Sequence, residues 1–244
     1  MDQEEIIKAK LVLWKQEMQK RPSLGNQVVK GMQVRINNFI PDRVHRVFTK
    51  AIKEVTRAVL FGAEYTTSVN NDIEDLITAE VKAKERIRFY SSSASAEGAI
   101  TGFGGFIWGL ADFPLWLSLK MKMLFEIASI YGVDVSNLSE RIYILHVFEI
   151  TFSSQKNRNR VFKVMQNWDK NKQAQEDIND FDWRRFQLEY RDHIDLAKLL
   201  QLIPGFGAII GAYVNLTLTK KLGEFAMNAY RLRLLEKPII TLQE

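Results

Sequence analysis

The chain has no cysteine, which excludes a disulfide framework, a thiolate metal site and a cysteine nucleophile. Proline is scarce, five in 244 residues, and strand-like alternation is rare, so helical periodicity organises most of the sequence. Histidine is scarcer still: His45, His146 and His193. H-E-x-x-H is absent, as is the G-x-S-x-G nucleophile elbow. No uninterrupted apolar run opens the chain. MDQEEIIKAKLVLWKQEMQK is charged throughout, does not read as a secretory signal, and leaves cytoplasmic residence as the expectation.

What is present divides sharply. Mean hydropathy is −0.17 and the pI is about 9.3, with a formal charge of +5. That mild basic excess suits an anionic membrane surface or nucleic acid, but no nucleic-acid recognition motif accompanies it. Mostly charged stretches surround two apolar, glycine-punctuated ones. Gly98 to Ser118 reads GAITGFGGFIWGLADFPLWLS, and Leu199 to Thr219 reads LLQLIPGFGAIIGAYVNLTLT. Glycines recur four apart: Gly98 with Gly102, Gly105 with Gly109, Gly207 with Gly211. That spacing lines small residues along one helix face and admits a close second backbone. Leu202-Ile203-Pro204-Gly205 breaks the second segment, and Gly102, Gly104 and Gly105 weaken the first. Two glycine-rich helical hairpins follow, which pack as core, dip into one leaflet or span as a close pair.

Gly-Phe-Gly occurs in both segments, at 102–104 and 205–207, as a chance match or the trace of a repeated hairpin. Neither run is a phosphate cradle: Ile107 and Ile210 stand where a dinucleotide fingerprint needs its third glycine, and G-K-[ST] is missing. No cofactor and no bound metal are expected.

Along the chain, residues 2–20 form a predicted helix with Ile7, Leu11, Trp14 and Met18 on one face. Others are expected at about 24–38 and from Asp42 to Gly62. The latter carries Arg43, Arg46, Lys50, Lys53 and Arg57 opposite its apolar stripe, either a solvated face or one lying against anionic headgroups. Residues 72–90 read as a charged helix and SSSASA, 91–96, as a flexible linker, a loop. A helix from Leu119 to Tyr131 ends at Gly132, and Ser136 or Ser139 caps the next, through about Phe152. The basic run 153–172 reads as solvated surface. A last helix covers about Leu216 to Glu236. The fold class is an all-α, multi-helix bundle, with the two Gly-rich hairpins in or near the core.

If the chain catalyses a reaction, the candidates are Asp112, Glu97, His146 and Glu149. A carboxylate inside an apolar run must pair, cap a helix or become neutral. Asp112 suits an N-cap, with Pro114 in the first turn behind it; pairing with Glu97 or Lys120 is the alternative. His146 and Glu149 stand three apart on one helix and could share a metal, although no second such pair exists and a core-edge pair is the simpler reading. Asn215 is the polar counterpart in the second segment.

GFGGFIWGLADFPLWLSLKMKMLFEIASIYGVD resembles the signature of the EcsC family: a Gly-rich turn (Gly102, Gly105, Gly109), then A-D-x-P (Asp112, Pro114), then I-A-x-x-Y-G-x-D (Tyr131, Gly132, Asp134). IPGFGAIIGAYVNLTLTKKLGEFAMNAYRLRLLE is similar to its closing motif, with Pro204, Gly207, Gly211 and Asn215 in place. The chain then divides into N-terminal amphipathic helices, 1–90, and an EcsC-like region, 91–236, in one integrated domain. The resemblance implies partners, the ATPase and membrane subunit of an ABC transporter linked to secretion, and a non-catalytic accessory role at the inner face of the cell membrane, peripheral or monotopic. It transfers no catalytic residue. A hydrolase or metalloprotein built on a buried carboxylate, and a binder of lipid or another apolar ligand, are the alternatives.

Overall fold

The structure, a computed structural model, describes residues 2–21, 75–103, 113–170 and 207–236, with isolated positions between 50 and 57 and between 181 and 189. Six helices and no strand occur among the described residues: α1 (Gln3–Gln19), α2 (Leu76–Phe103), α3 (Phe113–Ile130), α4 (Leu138–Thr151), α5 (Gln155–Gln166) and α6 (Gly207–Leu235). They form the expected helical bundle. The expected helices at 24–38 and 42–62 lie largely outside the described residues.

α1 buries Ile7, Leu11, Trp14 and Met18, the stripe read from the sequence. Each contributes about 1.5–3 kcal/mol by leaving water. Trp14 meets Phe162 and Phe225 edge-on, at 5.4 and 5.9 Å. The last carbonyls of α1 lack intrahelical partners, and α5 supplies them: Gln155 donates to Glu17 O and Met18 O at 3.0 and 3.2 Å.

α4 is the central helix. From Ser139 to Thr151 only Arg141 escapes burial, the pattern of a helix enclosed on every side. Its N-cap corrects the sequence reading. Asn137, rather than Ser136 or Ser139, precedes the helix, and its side chain accepts from Ser139 N at 2.9 Å. Ser136 is occupied by Asp134, whose Oδ1 accepts from both the Ser136 N–H and hydroxyl.

α3 ends as expected. Gly132 takes the left-handed conformation, φ 73°, where a side chain would strain the backbone. Gly132 N donates to Ser129 O and Val133 N to Ala128 O, a Schellman closure that turns the chain towards α4.

α2 departs most from the sequence reading. Asp75 caps it, accepting from Ile77 N and Thr78 N at 2.9 and 3.0 Å, and it runs unbroken through SSSASA to Phe103. The expected linker is therefore helical. Serine costs a helix only a few tenths of a kcal/mol against alanine, and Ser93 offsets it locally, its Oγ donating to Phe89 O at 3.0 Å.

α2 and α6 form the longest interface and run antiparallel, since Glu80 meets Arg231 and Ile87 meets Gly223. α6 starts nine residues earlier than expected, inside the second apolar segment. α3 is antiparallel to α2 as well, with Tyr131 on Glu80 and Tyr90 on Glu126. These registers bring the C-terminal turns of α2 and the first turns of α3 and α6 to one end of the bundle. That end holds the described parts of both Gly-rich segments.

Candidate functional site

The opposite end is ionic. Arg231 of α6 grips Glu80 of α2 with two parallel bonds, Nε to Oε1 at 2.5 Å and Nη2 to Oε2 at 2.7 Å. Tyr131 donates to the same carboxylate at 2.9 Å, and Lys84 stands 3.4 Å away. Glu80 and Arg231 are both buried. Burial pushes the Glu80 carboxyl up, but Arg231, Tyr131 and Lys84 outweigh it and hold the group below the usual carboxylate range.

Two residues on, Arg233 carries a second lock. It binds Glu140 of α4 through Nη1 and Nη2, at 2.5 and 3.0 Å, and Asp169 through Nε and Nη2, at 3.1 and 2.5 Å. Its guanidinium lies 4.7 Å from the centre of the Tyr143 ring. Burial alone would weaken its hold on the proton, but Glu140 and Asp169 reverse that and raise its pKa.

Beside the second lock opens a cleft of about 260 Å³. Tyr131, Gly132 and Asp134, three residues of the Y-G-x-D motif, line it together with Glu140, Tyr230 and Arg233. Tyr131 stacks on Tyr230 beside it, at 5.6 Å between centroids, and Tyr143 lies tilted against Tyr230 at 5.7 Å.

His146 and Glu149 do meet, Nδ1 to Oε2 at 3.2 Å, and both are buried. Glu149 also accepts from Asn157 at 3.0 Å and from Arg160 at 2.5 Å. Burial raises its pKa, but His146, Asn157 and Arg160 win and lower it. No group of three metal-ligating side chains occurs among the described residues. With Glu80 at the ionic end and Glu149 further along α4 both held ionised near neutrality, these carboxylates are suited to fastening helices and binding charge rather than to donating protons.

The other sequence candidates scatter. Glu97 and Gly102 lie on the C-terminal turns of α2, Pro114 in the first turn of α3, and Gly207 and Gly211 in the first turns of α6. Asn215 follows on α6, half-buried, its carbonyl accepting from Thr219 at 2.7 Å. Asp112, Gly105, Gly109, Pro204, Arg43 and Arg46 lie outside the described residues. Lys50, Lys53 and Arg57 are helical and exposed, and Arg57 pairs with Glu54 at 3.3 Å. The basic run 153–172 is only partly surface. Arg158 reaches inward to Glu17 at 3.8 Å and Arg160 to Glu149, because a long aliphatic stem can lie along a core whose edge supplies a carboxylate.

The family model described as the EcsC protein family matches residues 5–235. The chain belongs to that family. Among EcsC relatives, Protein EcsC of Bacillus subtilis (strain 168) is 39% identical over 239 residues, 97% of this chain and 98% of the relative. Uncharacterized protein YdbA of the same strain is 25% identical over 219 residues, 81% and 80% of the two chains. No solved structure matches. The sequence motif led to Tyr131, Gly132 and Asp134 but not to their partners. Glu80, Arg231, Glu140 and Arg233 left one trace in the sequence, charges set among apolar neighbours such as Tyr230, Leu232 and Leu234.

Proposed function

We propose that this EcsC-family protein is a non-catalytic accessory protein at the cytoplasmic membrane face, associated with an ABC transporter linked to secretion. The observation that carries the membrane half is the bundle's polarity. Described turns of both Gly-rich segments lie at one end of α2, α3 and α6, and the Glu80–Arg231 and Glu140–Arg233 pairs lie at the other. No described helix is long and apolar enough to cross a membrane, which favours a surface or shallow mode for these helices. Tyr213, 67% exposed on α6 near the glycine end, is the kind of side chain that seats at a lipid–water boundary. Exposed cations at Lys50, Lys53 and Arg57 add attraction to anionic headgroups of roughly 1 kcal/mol each. The transporter half rests on the family resemblance.

Membrane fractionation followed by high salt and then detergent tests the reading. Release by salt assigns the attachment to basic faces, and reversal of Arg43, Arg46, Lys50, Lys53 and Arg57 to Glu then abolishes vesicle binding. Release by detergent alone assigns it to the glycine end. Recovery entirely in the soluble fraction, with no binding to anionic vesicles, overturns it.

A further inference from the structure

Lys221 lies midway along α6, half-buried, and makes no hydrogen bond or ion pair among the described residues. Its ammonium stands 5.7 Å from the centre of the Phe225 ring, and the Arg158 guanidinium of α5 stands 5.7 Å from the same centre. Trp14 of α1 meets that ring edge-on at 5.9 Å. Two cations therefore share one aromatic ring where α1, α5 and α6 meet. Arg158 is held there by the Thr151 carbonyl at 3.4 Å and by Glu17 at 3.8 Å. Lys221 has no such anchor, and Glu17 reaches it only through space.

With Glu17 counted, the balance at Lys221 still opposes a proton. Burial weighs most, repulsion from Arg158 comes next and attraction to Glu17 is smallest, so the pKa falls to about 8. At pH 8 about half of the molecules carry a neutral amine there, against ~0.4% for an ordinary lysine. A neutral, uncommitted amine is a nucleophile. Burial discourages a charged electrophile, which would have to shed its water. Carbon dioxide is small and uncharged, and the open side of Lys221 admits it.

We infer that Lys221 is a carbon dioxide-binding lysine, carbamylated at Nζ beside Arg158. The Nζ lone pair bonds to the carbon of CO2, one C=O electron pair moves onto its oxygen, and an N–H proton leaves to solvent. Nothing is oxidised or reduced. The carbamate carries a negative charge where the ammonium carried a positive one. Repulsion from Arg158 becomes attraction, and it outweighs Glu17 at this position. Lys220, one position earlier and exposed, lacks the shared ring and provides an internal reference.

The test is to equilibrate the full chain with isotope-labelled bicarbonate at about pH 8, where half the Lys221 amines are free. Carbamate is then trapped by O-ethylation with triethyloxonium and located by peptide mass spectrometry. The label appears at Lys221 about tenfold above Lys220, a ratio that one unit of pKa supplies. It falls to the Lys220 level when the chain is unfolded in guanidinium chloride before labelling. Arg158→Met, with a native circular dichroism spectrum, lowers the label at Lys221 about tenfold, because it both strengthens the ammonium and removes the partner of the carbamate. The comparison of Lys221 with Lys220 is made within the wild-type chain and stands even if that variant does not fold. No label at Lys221, label there no greater than at Lys220, or label undiminished in folded Arg158→Met overturns the assignment.

Discussion

The Arg231 guanidinium closes a two-bond grip on Glu80 from 151 residues away in sequence, and both groups are almost fully buried. Burying two charges is costly, and losing one partner strands the other. Glu80→Gln should therefore destabilise the fold by about 3–5 kcal/mol, and Arg231→Met by a similar amount. The double variant, in which the introduced amide still accepts from Tyr131, should recover most of that. Urea denaturation of the four proteins gives the coupling; purely additive losses would mean the grip is incidental.

Acid should release the same grips. Glu80 and Glu149 have folded pKa values below the ordinary 4.5. Their stabilisation is complete above that value and is lost as pH falls through the folded values. Unfolding followed by circular dichroism between pH 5 and 2 should show a steep loss that Glu149→Gln makes shallower, at the cost of lower stability at pH 7.

At alkaline pH a second rise of the same sign is expected around Lys221. It stands 5.7 Å from the Phe225 ring, which Arg158 also approaches to 5.7 Å. Burial, then repulsion from Arg158, lowers its pKa to about 8, from 10.5. Between those values the unfolded chain binds the proton more tightly, so stability rises with pH from about 8. The buried tyrosines Tyr131, Tyr143 and Tyr230 hold their protons more tightly when folded, so stability falls again above about 10. Lys221→Met should flatten the rise and leave the fall; a rise that persists in this variant would exonerate the lysine.

Gly223 marks a close approach of α6 to α2. A Cβ there would stand 2.3 Å from Ile87 Cγ1, too near the stiff branch point of isoleucine to be relieved by a rotamer change. Overpacking of this kind costs about 1–3 kcal/mol, more than the roughly 1 kcal/mol that alanine gains over glycine inside a helix. Gly223→Ala should lower the melting temperature, and combining it with Ile87→Ala should cost less than the two changes summed.

Ser92 distinguishes a linker from a helix. It is exposed within α2, so Ser92→Ala should be neutral or slightly stabilising. Ser92→Pro should cost about 3 kcal/mol by removing a backbone bond and kinking the helix. Equal melting temperatures for the two variants would restore the linker.

Local patterns were legible where local forces decide. The 3.6-residue stripe of Ile7, Leu11, Trp14 and Met18 marked the buried face of α1, and Gly132 marked the end of α3. SSSASA misled because serine clusters are read for composition, whereas α2 is held by its contact with α6. Asn137 was passed over for two serines because Asp134 commits Ser136 to a turn, which only the folded loop reveals. The ionic end was almost invisible. Glu140 and Arg233 are 93 residues apart, and nothing in the spacing of one predicts the other. Their signal was negative: charges at core positions of apolar helices, which demand partners without naming them.

Fastening α2 to α6 at Glu80 and Arg231 has a mechanical corollary. From Glu80 to the end of α2 at Phe103 the helix extends about 35 Å, at about 1.5 Å per residue. A rotation of only about 5° at the ion pair would therefore carry the glycine end sideways by roughly 3 Å. Whatever engages that end pulls on a long arm, and whatever engages the ionic end works close to the pivot, so a small repacking around Arg231 and Arg233 is geared up into a large displacement at the far tip.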